Sequence, residues 1–167
     1  MNLVMLATIV FVPMILEALI SQRNEARLRG QGAIEPPGDV YSAMQVSYPG
    51  AFALMLVEGW LRGAGVDVWV AAGFTTFLGA KLLKYWAIMT LGDRWAFRVL
   101  VPPGAPLIAA GPYRLLQHPN YVAVIAELVG ATLIAHAPIA GAMSVLAFGW
   151  LIQRRIEVEE RALGLRR

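Results

Sequence analysis

The sequence predicts an all-α, polytopic membrane protein with about five transmembrane helices, N-terminus outside and C-terminus inside, and three observations predict it. The 167-residue chain is 58% hydrophobic and only 15% charged, against about 25% charged in an ordinary soluble domain. A water-soluble globule of this size lacks the polar surface to cover itself. The apolar residues also fall into five runs that approach the roughly 20 residues needed to cross a hydrocarbon core about 30 Å thick. Finally, the basic residues are shared unequally between the segments that separate those runs.

Leu3 to Ile20 is the first run, interrupted only by Pro13 and Glu17. It has no positive charge before it and no small-residue cleavage site after it, so it reads as a membrane helix and not a signal peptide. Ser21 to about Val40 turns polar and ends in Glu35-Pro36-Pro37-Gly38-Asp39, which predicts a loop. A second run spans about Ala43 to Leu61, and Arg62-Gly63-Ala64-Gly65 makes a short turn. A third spans Val66 to about Leu91; Lys81, Lys84, Tyr85 and Trp86 in its last turns are the basic and aromatic mix that anchors a helix at an interface.

Leu91 to His118 is a long polar connection with four prolines, whose aromatic and aliphatic content predicts order. After Pro119 a fourth run reaches Ala135. A fifth, Ile139 to Ile152, follows the hinge His136-Ala137-Pro138, so the two form an antiparallel hairpin. The tail from Gln153 keeps helical spacing at Ile156, Val158 and Leu163, which extends the last helix out of the membrane.

Five helices put Arg23, Arg27 and Arg29, then Arg94, Arg98 and Arg114, then Arg154, Arg155, Arg161, Arg166 and Arg167 on one side, and only Arg62 on the other. The positive-inside rule makes the richer side cytoplasmic. The net charge of +3 therefore reports cytoplasmic loops, and no nucleic-acid partner is expected. Zero cysteines exclude disulfides, thiolate metal sites and a thiol nucleophile. His118 and His136 alone cannot make a three-ligand catalytic site, so no metal is expected.

Three places can carry chemistry. Gly111-Pro112-Tyr113-Arg114 through His118-Pro119-Asn120-Tyr121 enters the fourth helix, where His118 or Asn120 can cap it and Pro119 suits its first turn. Free N–H groups there would attract an anion; an interfacial loop with ordinary caps is the alternative. In the tail, Arg155, Glu159 and Leu163 share a face and Glu160 lies about 100° further round. On charge pattern alone, Arg155–Glu159 and Glu157–Arg161 pairs on a solvated helix explain it. Glu127 is an acid about two turns inside the fourth helix, where a carboxylate needs a partner or a wet cavity. Glu17 and Glu58 lie nearer helix ends and can reach water, and His136 suits a surface role.

Taken together, Gly111-Pro112-Tyr113-Arg114, His118-Pro119-Asn120-Tyr121 and Arg155…Glu159-Glu160…Leu163 resemble the isoprenylcysteine carboxyl methyltransferase family of integral membrane enzymes, with phospholipid N-methyltransferases as relatives. The resemblance covers about Lys81 to Leu163. The stretch Tyr85-Trp86-Ala87-Ile88…Leu91-Gly92-Asp93-Arg94-Trp95 is similar to bacterial members that O-methylate long-chain phenolic or quinone lipids, while Gln117 stands where many relatives have arginine. The resemblance implies one domain over 1–167: helices one to three (1–80) forming an acceptor tunnel, and residues 81–167 binding S-adenosylmethionine at the cytoplasmic face, with S-adenosylhomocysteine as product. It assigns Gly111, Pro112, Tyr113, His118, Pro119, Tyr121, Arg155, Glu159, Glu160 and Leu163 to the cofactor.

Methyl transfer needs positioning and a dry site more than it needs a metal. A carboxylate acceptor needs no base, whereas a phenol with a pKa near 10 benefits from one; Glu127 and His118 are the candidates, with Arg155 beside them. The expected partners are a lipophilic acceptor, reached laterally, and membrane lipid of a bacterial-type inner membrane. A phospholipid N-methyltransferase, a NADPH-dependent sterol reductase type, which is similar around His-Pro-x-Tyr, and a non-catalytic membrane subunit are the competing readings.

Overall fold

A computed structural model describes residues 3–63 and 65–165; Arg166 and Arg167, counted above, lie outside them. Five α-helices follow one another: α1 Leu3–Gly30, α2 Tyr41–Arg62, α3 Val68–Leu91, α4 Pro119–Ala135 and α5 Pro138–Ala162. Two 3-10 turns, Gly92–Arg94 and Gly111–Arg114, order the α3–α4 segment. Among the described residues there is no strand, only a lone antiparallel bridge between Ile34 and Val101. The all-helical expectation holds, and α5 does run unbroken from the apolar run into the charged tail.

The first helix departs from expectation. It does not stop at Ile20 but continues to Gly30, because Glu25-Ala26-Arg27-Leu28-Arg29 are good helix formers whose polarity imitates a loop. Its buried stripe reads Leu6, Val10, Glu17, Ser21, Asn24, Leu28. The spacing stays helical while the chemistry changes from apolar to polar halfway along. Glu17, expected to reach water, is 1% exposed.

By length and composition Val4–Gly30 qualifies as a membrane span, and Pro119–Ala135 is a shorter apolar helix. Leucines and valines face outward on every helix, including Leu16, Leu54, Leu78, Val129 and Leu146. Such a belt of apolar surface marks a surface that contacts something other than water. The core between the helices collects Leu6, Val10, Phe52, Met55, Phe77, Leu128, Ala131 and Phe148. Glycines bring α3 and α4 together: a Cβ on Gly73 would stand 2.7 Å from Gly130 O, and one on Gly130 2.8 Å from the Phe77 nitrogen. Small residues at such a crossing let two backbones approach where side chains cannot interdigitate.

The bundle has two different ends. At one, Asp67 caps α3 by accepting from the Trp69 and Val70 N–H groups and pairs with His136 at 3.0 Å. Glu58 accepts from the Ile139 and Ala140 N–H groups at the start of α5, at 3.2 and 2.6 Å. Glu58, expected to reach water, and His136, expected at the surface, thus each bond the start of another helix. At the other end the α1–α2 loop, the α3–α4 segment and the α5 tail converge, which brings together the arginine-rich segments.

Candidate active site

Deep in the bundle four charges form a square. Lys81 Nζ lies 2.8 Å from Glu17 and 3.3 Å from Glu127, and Lys84 Nζ 3.3 Å from Glu17 and 2.8 Å from Glu127. Each ammonium faces both carboxylates, so the square is neutral. Tyr48 from α2 donates to Glu127 and accepts from Lys84. The two lysines, expected to anchor α3 at an interface, are buried instead: only facing acids make it tolerable for them to point inward. Lys84 donates to Glu17, Tyr48 and Glu127, so all three of its N–H donors are engaged.

Nearer the arginine-rich end, a pocket is lined by Trp95, Arg98, Tyr113, His118, Asn120, Tyr121, Arg155, Glu159 and Leu163, among others between Leu91 and Leu163. Glu159 is the sole acid of that lining. Gly111 starts the turn that presents Tyr113; its φ is +53°, and a Cβ there would clash with Thr90, so the turn sits hard against α3. Burial first, and the nearby Glu159 second, hold the Tyr113 phenol well above its ordinary range, which keeps it a neutral hydrogen-bond donor.

Pro119 does open α4, but neither candidate cap caps it: His118 occupies the capping position without a side-chain bond to the helix. Its carbonyl takes the Tyr121 and Val122 N–H groups, which removes donors that an anion was expected to find. The imidazole turns instead toward α5, 3.4 Å from Glu160 and 3.8 Å from Glu159, and stacks on Tyr121 with ring centroids 5.5 Å apart.

Tyr121 donates to Glu159 at 2.7 Å and accepts from Arg155 Nε at 2.8 Å. Arg155, 5% exposed, also donates to Asp39 at 3.1 Å and to the Phe97 carbonyl. It therefore faces inward, and the Arg155–Glu159 surface pair expected from charge pattern is replaced by these bonds.

A second cavity of about 390 Å³ adjoins the first, between α1 and α2. Phe11, Met14, Ile15, Met44, Pro49, Val124 and Phe148 make it apolar, and Glu17, Tyr48 and Lys84 contribute a polar patch. Trp95, Ala96, Asn120, Tyr121 and Arg155 line both spaces. A polar pocket and an apolar cavity thus share one wall. The Asn120 side-chain oxygen in that wall is buried without a partner, an acceptor still waiting for a donor.

The model of the isoprenylcysteine carboxyl methyltransferase (ICMT) family matches residues 71–164. The chain belongs to that family. Membership makes it a methyltransferase of the ICMT type and places it at a membrane, as the resemblance implied. An uncharacterized protein of Bacillus subtilis (strain 168), YpbQ, is 29% identical over 159 residues, covering 95% of each chain. No solved structure matches.

All residues lining the polar pocket fall inside the matched ICMT segment. Of the expected cofactor residues, Tyr113, His118, Tyr121, Arg155, Glu159 and Leu163 line it together. Glu160 stands beside His118, while Gly111, Pro112 and Pro119 shape the turn and the helix start. Glu127 is not in this lining; it belongs to the ion square.

Sequence reasoning missed Asp39, Lys81 and Lys84. The lysines carried a signal: two cations three residues apart in one apolar run, matched by two acids, Glu17 and Glu127, in two others. Asp39 sits in a loop-forming tract and carried none. Elsewhere in that tract, burial pushes the Glu35 carboxyl up, but hydrogen bonds from Arg29 and Arg98 outweigh it and hold the group below its usual value.

Proposed function

We propose that this ICMT-family chain is an S-adenosylmethionine-dependent O-methyltransferase acting on a lipophilic acceptor in a bacterial-type inner membrane. The observation that carries the reading is the shared wall: Asn120, Tyr121 and Arg155 stand between a polar pocket and an apolar cavity, as transfer between a water-soluble donor and a lipid requires. The donor set suits the cofactor. Glu159 complements an ammonium or a ribose diol, Tyr113 is a neutral donor, and the unpartnered Asn120 oxygen is free to accept.

When bound, S-adenosylmethionine supplies a methyl group on a sulfonium, which passes in line to an oxygen lone pair while the sulfur keeps the bond's electron pair. The chain's own contribution is to orient and to keep dry. Tyr121 and Arg155, fixed by each other and by Glu159 and Asp39, hold the rim of the acceptor cavity rigid. The apolar lining from α1 and α2 excludes water from the acceptor. For a carboxylate acceptor no proton moves. For a phenol, His118 is the base we assign. Glu127 lies seven residues beyond Asn120, about 10 Å along α4, and is occupied by two ammonium groups. Oxygen is preferred over a phospholipid nitrogen because the stretch from Tyr85 to Trp95 is similar to members that O-methylate phenolic or quinone lipids.

By the positive-inside rule we take the arginine-rich end as the cytoplasmic one, where the tail would meet anionic lipid. Isothermal titration of the purified chain with S-adenosylhomocysteine and with NADPH tests the reading. Micromolar binding of the first alone is expected. Binding of NADPH alone would instead make the chain a reductase, and binding of neither would leave a membrane subunit.

A further inference from the structure

The wall of the polar pocket is an irregular, extended segment, and the alternate residues of that segment are held from outside the ICMT-matched region. Asn24 Nδ2 donates to the carbonyls of Trp95 at 2.8 Å and Gly92 at 3.2 Å. Ser21 Oγ accepts the Phe97 N–H at 2.7 Å and donates to Glu25. Asp39 Oδ2 accepts the Val99 N–H at 3.1 Å. Val101 exchanges both backbone bonds with Ile34. Positions 95, 97, 99 and 101 are therefore each tied down, as a strand's would be by a neighbouring strand, but by α1 side chains and the α1–α2 loop.

These ties are built in. Ser21 is fully buried and Asn24 is 5% exposed, and the Asp39 side chain is 4% exposed. A backbone segment with no sheet or helix of its own must find partners for its polar groups where it is buried. Here α1 abandons its apolar stripe to supply them. Two of them reach Arg155 in one further step: Phe97, held at its N–H by Ser21, receives Arg155 at its carbonyl, and Asp39 holds both Val99 and Arg155, while Asn24 holds Trp95, which lines both spaces.

We infer that Ser21, Asn24 and Asp39, all outside the matched segment, are positioning residues of the cofactor pocket, fixing its 95–101 wall and through it Arg155. The inference rests on the cofactor reading above. It explains why α1 stays helical and polar for a further ten residues beyond its apolar run, a length that spanning a membrane does not require.

The test is titration of S-adenosylhomocysteine into the full chain in nanodiscs, with thermal unfolding measured on ligand-free samples. Asn24→Asp, which removes the donor at constant shape, and Asp39→Asn should each weaken affinity at least threefold. Ser21→Ala should do the same and Ser21→Thr, which keeps the hydroxyl, should restore it. Glu58→Gln, at the opposite end of the bundle, lowers the unfolding temperature and leaves affinity unchanged, which separates lost stability from lost positioning. Should Asn24→Asp or Asp39→Asn not fold, the Ser21→Ala and Ser21→Thr pair decides. If the wild type binds and the folded variants stay within threefold of it, the inference is overturned and the cofactor reading stands. If the wild type does not bind, the cofactor reading itself falls.

Discussion

Replacing Glu17 by leucine is expected to destabilise the protein by about 3–5 kcal/mol, the cost typical of breaking a buried ion pair and leaving its partner uncompensated. The square of Glu17, Lys81, Lys84 and Glu127 is neutral only as a whole. Removing one acid leaves two ammonium groups sharing Glu127 in a region where an unpaired charge is most expensive. The neutral double variant Glu17→Leu with Lys81→Leu should lose much less than the sum of its singles, because the cation stranded by the first change is removed by the second. Unfolding of reconstituted protein measures both. A single variant losing under about 1 kcal/mol, or strict additivity of the two, would show that the square contributes packing and not charge balance. Because Glu17 and Lys84 also line the apolar cavity, loss of the square should deform that cavity while the polar pocket, which neither residue lines, keeps its residues.

The second large effect concerns that pocket. Glu159→Ala and His118→Ala are each expected to weaken S-adenosylhomocysteine binding at least tenfold, about 1.4 kcal/mol. Glu159 is the pocket's sole lining acid and also the acceptor for Tyr121, so alanine removes both a charge complementary to the ligand ammonium and the brace on a wall residue. His118 bridges the start of α4 to both tail acids. Its loss removes one tie between α4 and the tail, leaving Tyr121 to hold Glu159 and Arg155. Glu159→Gln, which keeps a hydrogen-bond acceptor for Tyr121 but not the charge, should fall between wild type and alanine. Isothermal titration checks all three, and unchanged affinity in folded Glu159→Ala and His118→Ala proteins would move the cofactor elsewhere.

Much of the fold was legible because apolar runs and breakers are local signals. The starts of α3 and α4, the hinge at His136 and the continuation of α5 follow from residues within a turn of each boundary. The second half of α1 was not legible, since Ser21, Asn24 and Arg27 read as loop until the segment they bond is known. The pocket was partly legible: Tyr113, His118, Tyr121, Arg155, Glu159 and Leu163 carry the family pattern. What each does there was less so. On charge pattern alone Arg155 reads as half of a surface pair, although the resemblance assigns it to the cofactor, and its four inward partners come from α2, α4 and two loops, at separations from 34 to 116 residues. Lys81 and Lys84 resembled interface anchors because the acids they meet lie 43 to 67 residues away. Charge pairing across a bundle leaves no local trace beyond the balance of signs.

The most direct test of the account is an experimental structure of the chain with S-adenosylhomocysteine. The ligand is expected between the 95–101 wall and Glu159, with its sulfur turned toward the Asn120–Tyr121–Arg155 rim and the apolar cavity beyond. A ligand bound outside that lining, or one whose sulfur is screened from the cavity, would contradict it.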